Sequence, residues 1–242
     1  MTGSNNTIER IVPDELTQGF DLLSLQLHCD RYRFAGRNII PGRVLDIACG
    51  TGYGSHLLAN EFGESISEIV AVDISEESIL YAQKRYSLPK ITYVLDDAFS
   101  FSDGEKFHSI VTLETIEHLN DPSAFVNKLY DLLHPGGVLI ASAPITPSTD
   151  VNPYHVNDFS DKTFRRLFTP YPFTVIDSLR QTQQISLKNI FGKNKNTRTE
   201  GIRKNIATYY IYHPKILFAR ARSLLVNGFT NKYIVLVLQK GD

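Results

Sequence analysis

Four groups of residues in this 242-residue chain have side chains and spacing suited to ligand chemistry. The first is Val44-Leu-Asp-Ile-Ala-Cys-Gly-Thr-Gly-Tyr-Gly54, where an aliphatic run breaks into a glycine-spaced turn ahead of a helix-compatible segment. Gly50 and Gly52 let the backbone approach a ligand without an intervening Cβ, and the amino end of the helix that follows favours electron-rich groups. A dinucleotide fingerprint has the form GxGxxG. Here Asp46-x-Ala48-x-Gly50-x-Gly52 puts a carboxylate at the strand end and leaves no third glycine in that register. Such a carboxylate repels a pyrophosphate and suits a ligand with a cationic end.

The second group is Glu68-Ile-Val-Ala-Val-Asp73 with Ile74 behind it. An acid at the carboxyl end of a second strand can accept two hydroxyl hydrogen bonds from a ribose diol, and the alternative role of helix cap is already filled by Ser75. The third is Tyr93-Val-Leu-Asp-Asp-Ala98, whose paired acids read equally as turn formers or as acceptors for an adenine amino group. The fourth is Glu114-Thr-Ile-Glu-His118 together with Asn152-Pro-Tyr-His155. Glu114 and His118 are four apart, a spacing that on a helical turn lets the carboxylate orient the imidazole for proton transfer near neutral pH. His155 lies in a proline-broken loop and is the second candidate base. His134 is best explained as a helix carboxyl-end residue.

The elements that must position these groups follow from periodicity. The pattern predicts a helix over about 20–38, then strand 43–48, helix 53–62, strand 68–73, helix 75–86, strand 91–94, strand 107–113, helix 122–133 and strand 137–143. Such alternation implies a parallel sheet. Ser75 ahead of Glu76 and Glu77, and Asp121 ahead of Pro122, mark helix starts, and His134-Pro-Gly-Gly137 marks a stop. A short helix is predicted at 160–168. Strands at 173–178 and 232–239 flank some fifty residues that look like an insertion with helical parts, among them 214–226. The expected organisation is one domain: arm and first helix 1–40, core 41–183, basic insertion 184–230 and final strand 231–242.

Charge is nearly balanced, with 25 Lys plus Arg against 26 Asp plus Glu, so no global argument for nucleic acid exists. The surplus is local: between 184 and 230, Lys188, Lys193, Lys195, Arg198, Arg203, Lys204, Lys215, Arg220 and Arg222 face the single acid Glu200. That segment suits an anionic acceptor or a peripheral membrane surface, or is simply a solvated face. Tyr209, Tyr210, Tyr212 and Phe218 interleave with it, at a helical spacing more typical of core. Cys29 and Cys49 have no CxxC mate and read as reduced thiols. The polar start of the chain and the absence of a long apolar run predict a cytoplasmic protein. No metal is expected, because nothing in the spacing of the paired acids demands one.

Taken in order, Asp46-Ile-Ala-Cys-Gly-Thr-Gly52, Val72-Asp73-Ile-Ser75, Asp96-Asp97-Ala98, Glu114-Thr-Ile-Glu-His118 and Leu133-His-Pro-Gly-Gly137 closely resemble class I S-adenosylmethionine-dependent methyltransferases over roughly residues 28–180. With Asn152-Pro-Tyr-His155 the likeness extends to bacterial sugar- and polysaccharide-associated members, and to relatives that methylate quinone precursors. The resemblance implies a Rossmann-like α/β fold: a seven-stranded, mostly parallel sheet with helices on both faces and the last strand antiparallel. It implies S-adenosylmethionine as cofactor and S-adenosylhomocysteine as product. It places Asp46, Ala48, Gly50 and Gly52 around the methionine part, Asp73 at the ribose, Ile74 on an adenine face, and Asp97 with Ala98 at the adenine edge. Arg31 and Tyr32 match an Arg-Tyr pair of close relatives, with the Arg facing the cofactor carboxylate and Glu114 near it. Ala48 departs from the glycine common at that position.

The expected function is O-methylation of a sugar or glycan precursor, with His118 and His155 as catalytic candidates. N-methylation of an amino sugar and O-methylation of a quinone-type molecule are the alternatives within the enzyme class. A cofactor-binding scaffold without transfer activity is the alternative outside it. The expected partners are a small-molecule or glycan acceptor and a possible second copy of the chain, with no nucleic acid.

Overall fold

The computed structural model of the chain describes residues 13, 19–184 and 206–241. Most of the amino-terminal arm and the 185–205 part of the basic segment lie outside the described residues. Seven strands, β1 (Gly42–Ile47), β2 (Ile66–Asp73), β3 (Ile91–Leu95), β4 (Phe107–Thr112), β5 (Leu133–Pro144), β6 (Phe173–Gln184) and β7 (Thr230–Lys240), form one sheet. Their order is β3-β2-β1-β4-β5-β7-β6. The pairs β1–β2, β1–β4, β2–β3 and β4–β5 are parallel, and β7 runs antiparallel between β5 and β6. The fold is therefore the mostly parallel, Rossmann-like sheet with an antiparallel last strand.

Why both faces of this sheet are covered can be read from the strands. Leu45, Ile47, Val70 and Val72 point into one core cluster with Phe107 and Phe125, while Val44, Ile69 and Ala71 point into the other with Leu58 and Ile79. Successive side chains of a strand point to opposite faces. Apolar residues at every position thus require helices on both sides. These are α1 (Gly19–Asn38), α2 (Tyr53–Phe62), α3 (Glu76–Arg85), α4 (Pro122–Leu132) and α5 (Asp161–Arg166). Their starts follow the sequence signals: Ser75 Oγ accepts from Ser78 N at 3.2 Å, and Asp121 Oδ1 accepts from Ala124 N at 2.9 Å ahead of Pro122.

One stop signal is corrected. Helix α4 ends at Leu132, and Leu133 is already extended and paired with Phe107, so His134 belongs to β5. The register jumps from Phe107↔Leu133 to Ser109↔Val138, so the His134–Gly137 turn is an excursion within the strand, with the His134 ring 4.6 Å from that of His108. The helix dipole does not explain this histidine. Between β6 and β7 stand α6 (Ile206–Tyr212) and α7 (Pro214–Asn227). The aromatic residues there are not core, since Tyr212 is 76% and Phe218 72% exposed. In α7 the more buried side carries Ile216, Arg220, Ser223, Leu224 and Asn227. The exposed side carries Phe218 and Leu225 beside Lys215 and Arg222, so large apolar side chains face outward on this helix.

Because β1, β2, β3, β4 and β5 run the same way, Ile47, Asp73, Leu95, Thr112 and Pro144 all end at one edge of the sheet. In open α/β sheets ligands bind outside this carboxyl edge. Among the described residues, the non-glycine residues with positive φ are Ala48 (63°) and Glu114 (54°), and both sit there. A methyl group in the left-handed region costs about 1–2 kcal/mol. Ala48→Gly is therefore expected to stabilise the fold by about 1 kcal/mol, once the added freedom of the unfolded chain is deducted. Urea unfolding checks this, and a lowered midpoint would contradict the strain.

Candidate active site at the carboxyl edge of the sheet

The turn after β1 is built around two carboxylates. Asp46 is 1% exposed and accepts from Ser55 Oγ at 2.6 Å and from the Tyr32 hydroxyl at 3.2 and 3.3 Å. Tyr32 packs so closely on the turn that a Cβ on Gly54 would lie 2.0 Å from its Cζ, which is why glycine stands there. Burial, opposed by the two hydroxyl bonds and aided by the charge of Asp73, pushes the Asp46 carboxyl up to about 7. Asp73 holds the other side of the turn: its Oδ2 accepts from Gly50 N at 2.8 Å and its Oδ1 from Ser75 N at 2.9 Å. A carboxylate has about four acceptor sites, the capacity on which binding a diol depends. Gly52, with φ 81°, is the cap of α2, and a Cβ there would meet Ala82 Cβ at 2.6 Å.

Ile74, next to Asp73, is 56% exposed and offers a flat apolar surface. Asp97 closes a local turn, its Oδ1 accepting from Phe99 N at 2.8 Å, while Asp96 Oδ1 accepts from Asp97 N and from Ser100 Oγ. The paired acids do form turns, and Ala98 packs half-buried against the core behind them. Burial raises both thiols above the ordinary cysteine range, so Cys29 and Cys49 are free but poorly nucleophilic.

Arg31 is not a solvated helix residue. It is 4% exposed, with Nη1 donating to Gln181 Oε1 at 2.8 Å, Nη2 3.9 Å from Glu114 Oε2, and its guanidinium over the Tyr233 ring. Its Nε is buried with no hydrogen-bond partner among the described residues, which is where an acceptor such as a ligand carboxylate fits. Glu114 is turned toward this guanidinium by its left-handed backbone, and Ser142 of β5 donates to its Oε1 at 2.7 Å.

The pairing of Glu114 with His118 is therefore corrected. Glu114 precedes the 3-10 turn Ile116–His118 and shares no helical face with the imidazole. His118 Nδ1 instead faces Tyr154 O at 3.1 Å, and its ring meets that of His155 edge-on with centroids 4.6 Å apart. Neither the 36-residue separation of His118 from Tyr154 nor the partner Glu117 announces itself in the sequence. Glu117 is 1% exposed, and its carbonyl accepts from Val156 N and Asn157 N, which pins the His155 loop onto the turn after β4.

Residues 44–137 match the methyltransferase domain family. Over 105 residues, 41% of this chain, the sequence is 35% identical to a ubiquinone biosynthesis O-methyltransferase of Dinoroseobacter shibae, of which 40% is covered. Over 153 residues, 63% of the chain, it is 24% identical to a malonyl-[acyl-carrier protein] O-methyltransferase of Bacillus anthracis, of which 51% is covered. The chain thus spans about half the length of the curated relatives it matches. Among solved structures, the N-methyltransferase NodS of Bradyrhizobium japonicum, in complex with S-adenosyl-L-homocysteine, superposes with a TM-score of 0.60 at 14% identity, covering 95% of this chain and 96% of that one. The [4+2]-cyclase SpnF superposes with a TM-score of 0.61 at 16% identity, covering 89% and 82%. Fold alone therefore does not decide the reaction.

Outside the matched segment, α6 and α7 are tied to the loop after β5. Asp150, fully buried, accepts from Arg220 at 2.5 and 2.7 Å and from the Tyr210 hydroxyl at 2.6 Å. Burial pushes its carboxyl up, but these donors outweigh burial and hold it below the usual value. Arg220, part of the basic surplus, is thus spent inside the protein.

Removing Arg220 strands a buried carboxylate, so Arg220→Ala is expected to lose about 3–5 kcal/mol of stability in denaturant unfolding. A loss below 1 kcal/mol would show that the pair does not hold the hairpin. The raised Asp46 carboxyl keeps a proton that the unfolded chain gives up. Its contribution to stability is complete below the ordinary value of 3.8 and is lost as pH rises through about 7. In thermal melts from about pH 4 to about pH 8, Asp46→Asn should therefore gain steadily on the wild type. A constant gap would refute the shift.

Proposed function

We propose that the chain is an S-adenosylmethionine-dependent methyltransferase that methylates a hydroxyl of a sugar or glycan precursor. The observation that carries the cofactor is Asp73: its carboxylate is held by Gly50 N and Ser75 N at the strand end, beside the exposed Ile74. That juxtaposition presents hydroxyl acceptors and an apolar face together, as a nucleoside requires. Arg31 Nε supplies the carboxylate donor, and Asp46 a buried carboxyl that a cationic ligand group draws into its ionised form. S-adenosylmethionine, when bound, supplies an electrophilic methyl group and leaves as S-adenosylhomocysteine.

The chain's own residues then align and activate the acceptor. His118 and His155 stand together beyond the ends of β4 and β5, where an acceptor hydroxyl can give up its proton. Both O-methyltransferase relatives support oxygen as the methylated atom. The sugar assignment rests on the likeness of Asn152–His155 and its surroundings to glycan-associated members. A second reading, a quinone-type phenol, is favoured by the 35% identity to the ubiquinone biosynthesis enzyme.

Calorimetry with S-adenosylhomocysteine tests the cofactor reading. Wild type should bind, and Asp73→Ala should bind about 10- to 100-fold more weakly, the worth of charge-assisted hydrogen bonds. If the wild type shows no binding, the reading fails. His118→Ala and His155→Ala should keep that affinity and lower turnover by about 100-fold or more, measured with labelled donor against panels of sugars and phenols. Binding without turnover on any acceptor would point to a scaffold.

A further inference from the structure

Glu117, His118 and His155 offer ligand atoms that all lie within 4.8 Å of one another. Two come from the turn after β4 and the third from the loop after β5, and the bonds from Val156 N and Asn157 N to the Glu117 carbonyl hold the two segments in register. Each imidazole is also oriented from behind. His118 Nδ1 faces Tyr154 O at 3.1 Å, and His155 Nδ1 faces Ser148 Oγ at 2.7 Å. A hydrogen bond to one ring nitrogen sets the tautomer and orientation of a histidine, and such outer partners are what fix metal-binding rings. Glu117 adds a buried carboxylate, an oxygen ligand of the charge that a divalent cation matches.

We infer that Glu117, His118 and His155 form a divalent transition-metal site on the acceptor side of the methyl-transfer centre. Two imidazoles and one carboxylate suit Zn, Mn, Fe or Co better than Mg or Ca, and they leave coordination positions open. Metal bonds of about 2.0–2.2 Å put ligand atoms about 3–3.5 Å apart, so the side chains close by at most about 1.8 Å on binding. The inference rests on the methyltransferase reading only for its use. In that use, the acceptor hydroxyl enters an open position on the cation, which lowers its pKa so that its proton passes to solvent. The oxygen then attacks the methyl carbon, the carbon–sulfur bond breaks, and its electron pair stays on sulfur. The two imidazoles act as ligands in this scheme, and the ligand class expected for the acceptor is an oxygen donor, best a vicinal diol or catechol that can chelate.

The test uses the full chain without an affinity tag, stripped with chelator and titrated with cobalt(II) while visible absorption and heat are recorded. One equivalent should bind with ligand-field bands of a nitrogen and oxygen site. Ser148→Ala should weaken binding by about 10- to 100-fold, and His155→Ala by more than about 100-fold. His155 lies in a loop, so this variant remains informative if Glu117→Gln fails to fold. S-adenosylhomocysteine calorimetry is run on the same samples. No cobalt uptake by a wild type that binds S-adenosylhomocysteine, or unchanged uptake by His155→Ala, overturns the site. Cobalt uptake by a wild type that ignores S-adenosylhomocysteine would uphold the metal site and remove the cofactor reading instead.

Discussion

Two carboxyl groups at the carboxyl ends of adjacent parallel strands constrain everything around them. Asp46 and Asp73 end β1 and β2, whose register pairs Asp46 with Ala71, and neither can be left without donors at such burial. The structure divides the load. Asp46 takes side-chain hydroxyls from Tyr32 and Ser55 and has its carboxyl raised, while Asp73 takes backbone N–H groups from the turn and the next helix. The shape of the turn follows from this division. Gly50 must bring its N–H to Asp73, and Gly54 must clear the Tyr32 ring that reaches Asp46. A cationic ligand group arriving at this edge would favour ionised Asp46, which couples ligand binding to the proton the empty fold retains.

The side proposed to receive the acceptor is held by a different kind of bond. The loop after β5 carries His155, and it is fastened at one end by Glu117 and at the other by the buried Asp150 with Arg220 and Tyr210. Helix α7 thereby turns Arg220 inward and Phe218 and Leu225 outward. The ion pair of Arg220 with the buried Asp150 ties this part of the chain to the loop after β5.

Much of the fold was legible because its signals are local. Unbroken apolar strands, the Ser75 and Asp121 caps and the glycine turn each depend on residues within a few positions, and all are found where periodicity and capping chemistry place them. The legible part of the site is likewise the part carried by strand ends: Asp46, Asp73 and the turn between them. Local signals failed where two states compete closely. His134-Pro-Gly-Gly137 resembles a helix stop, yet Leu133 gains more by pairing with Phe107 in the sheet. The Glu114 to His118 spacing fits a helix, yet Ser142 and Arg31 draw Glu114 into a left-handed conformation that ends any helical phase.

By itself the sequence determined the parallel sheet and the carboxylates at its carboxyl edge, because strand period and turn chemistry are written in neighbouring residues, while the antiparallel last strand followed from the family resemblance. Only the tertiary structure decided which side chains meet across that edge. Arg31 finds Gln181 150 positions away, Arg220 finds Asp150 70 positions away, and the pairing of Glu117 and His118 with His155 joins two separate strand-end loops. No local pattern encodes such contacts. They arise when buried charges and imidazoles, brought together by the closing of the sheet, have only one another as partners.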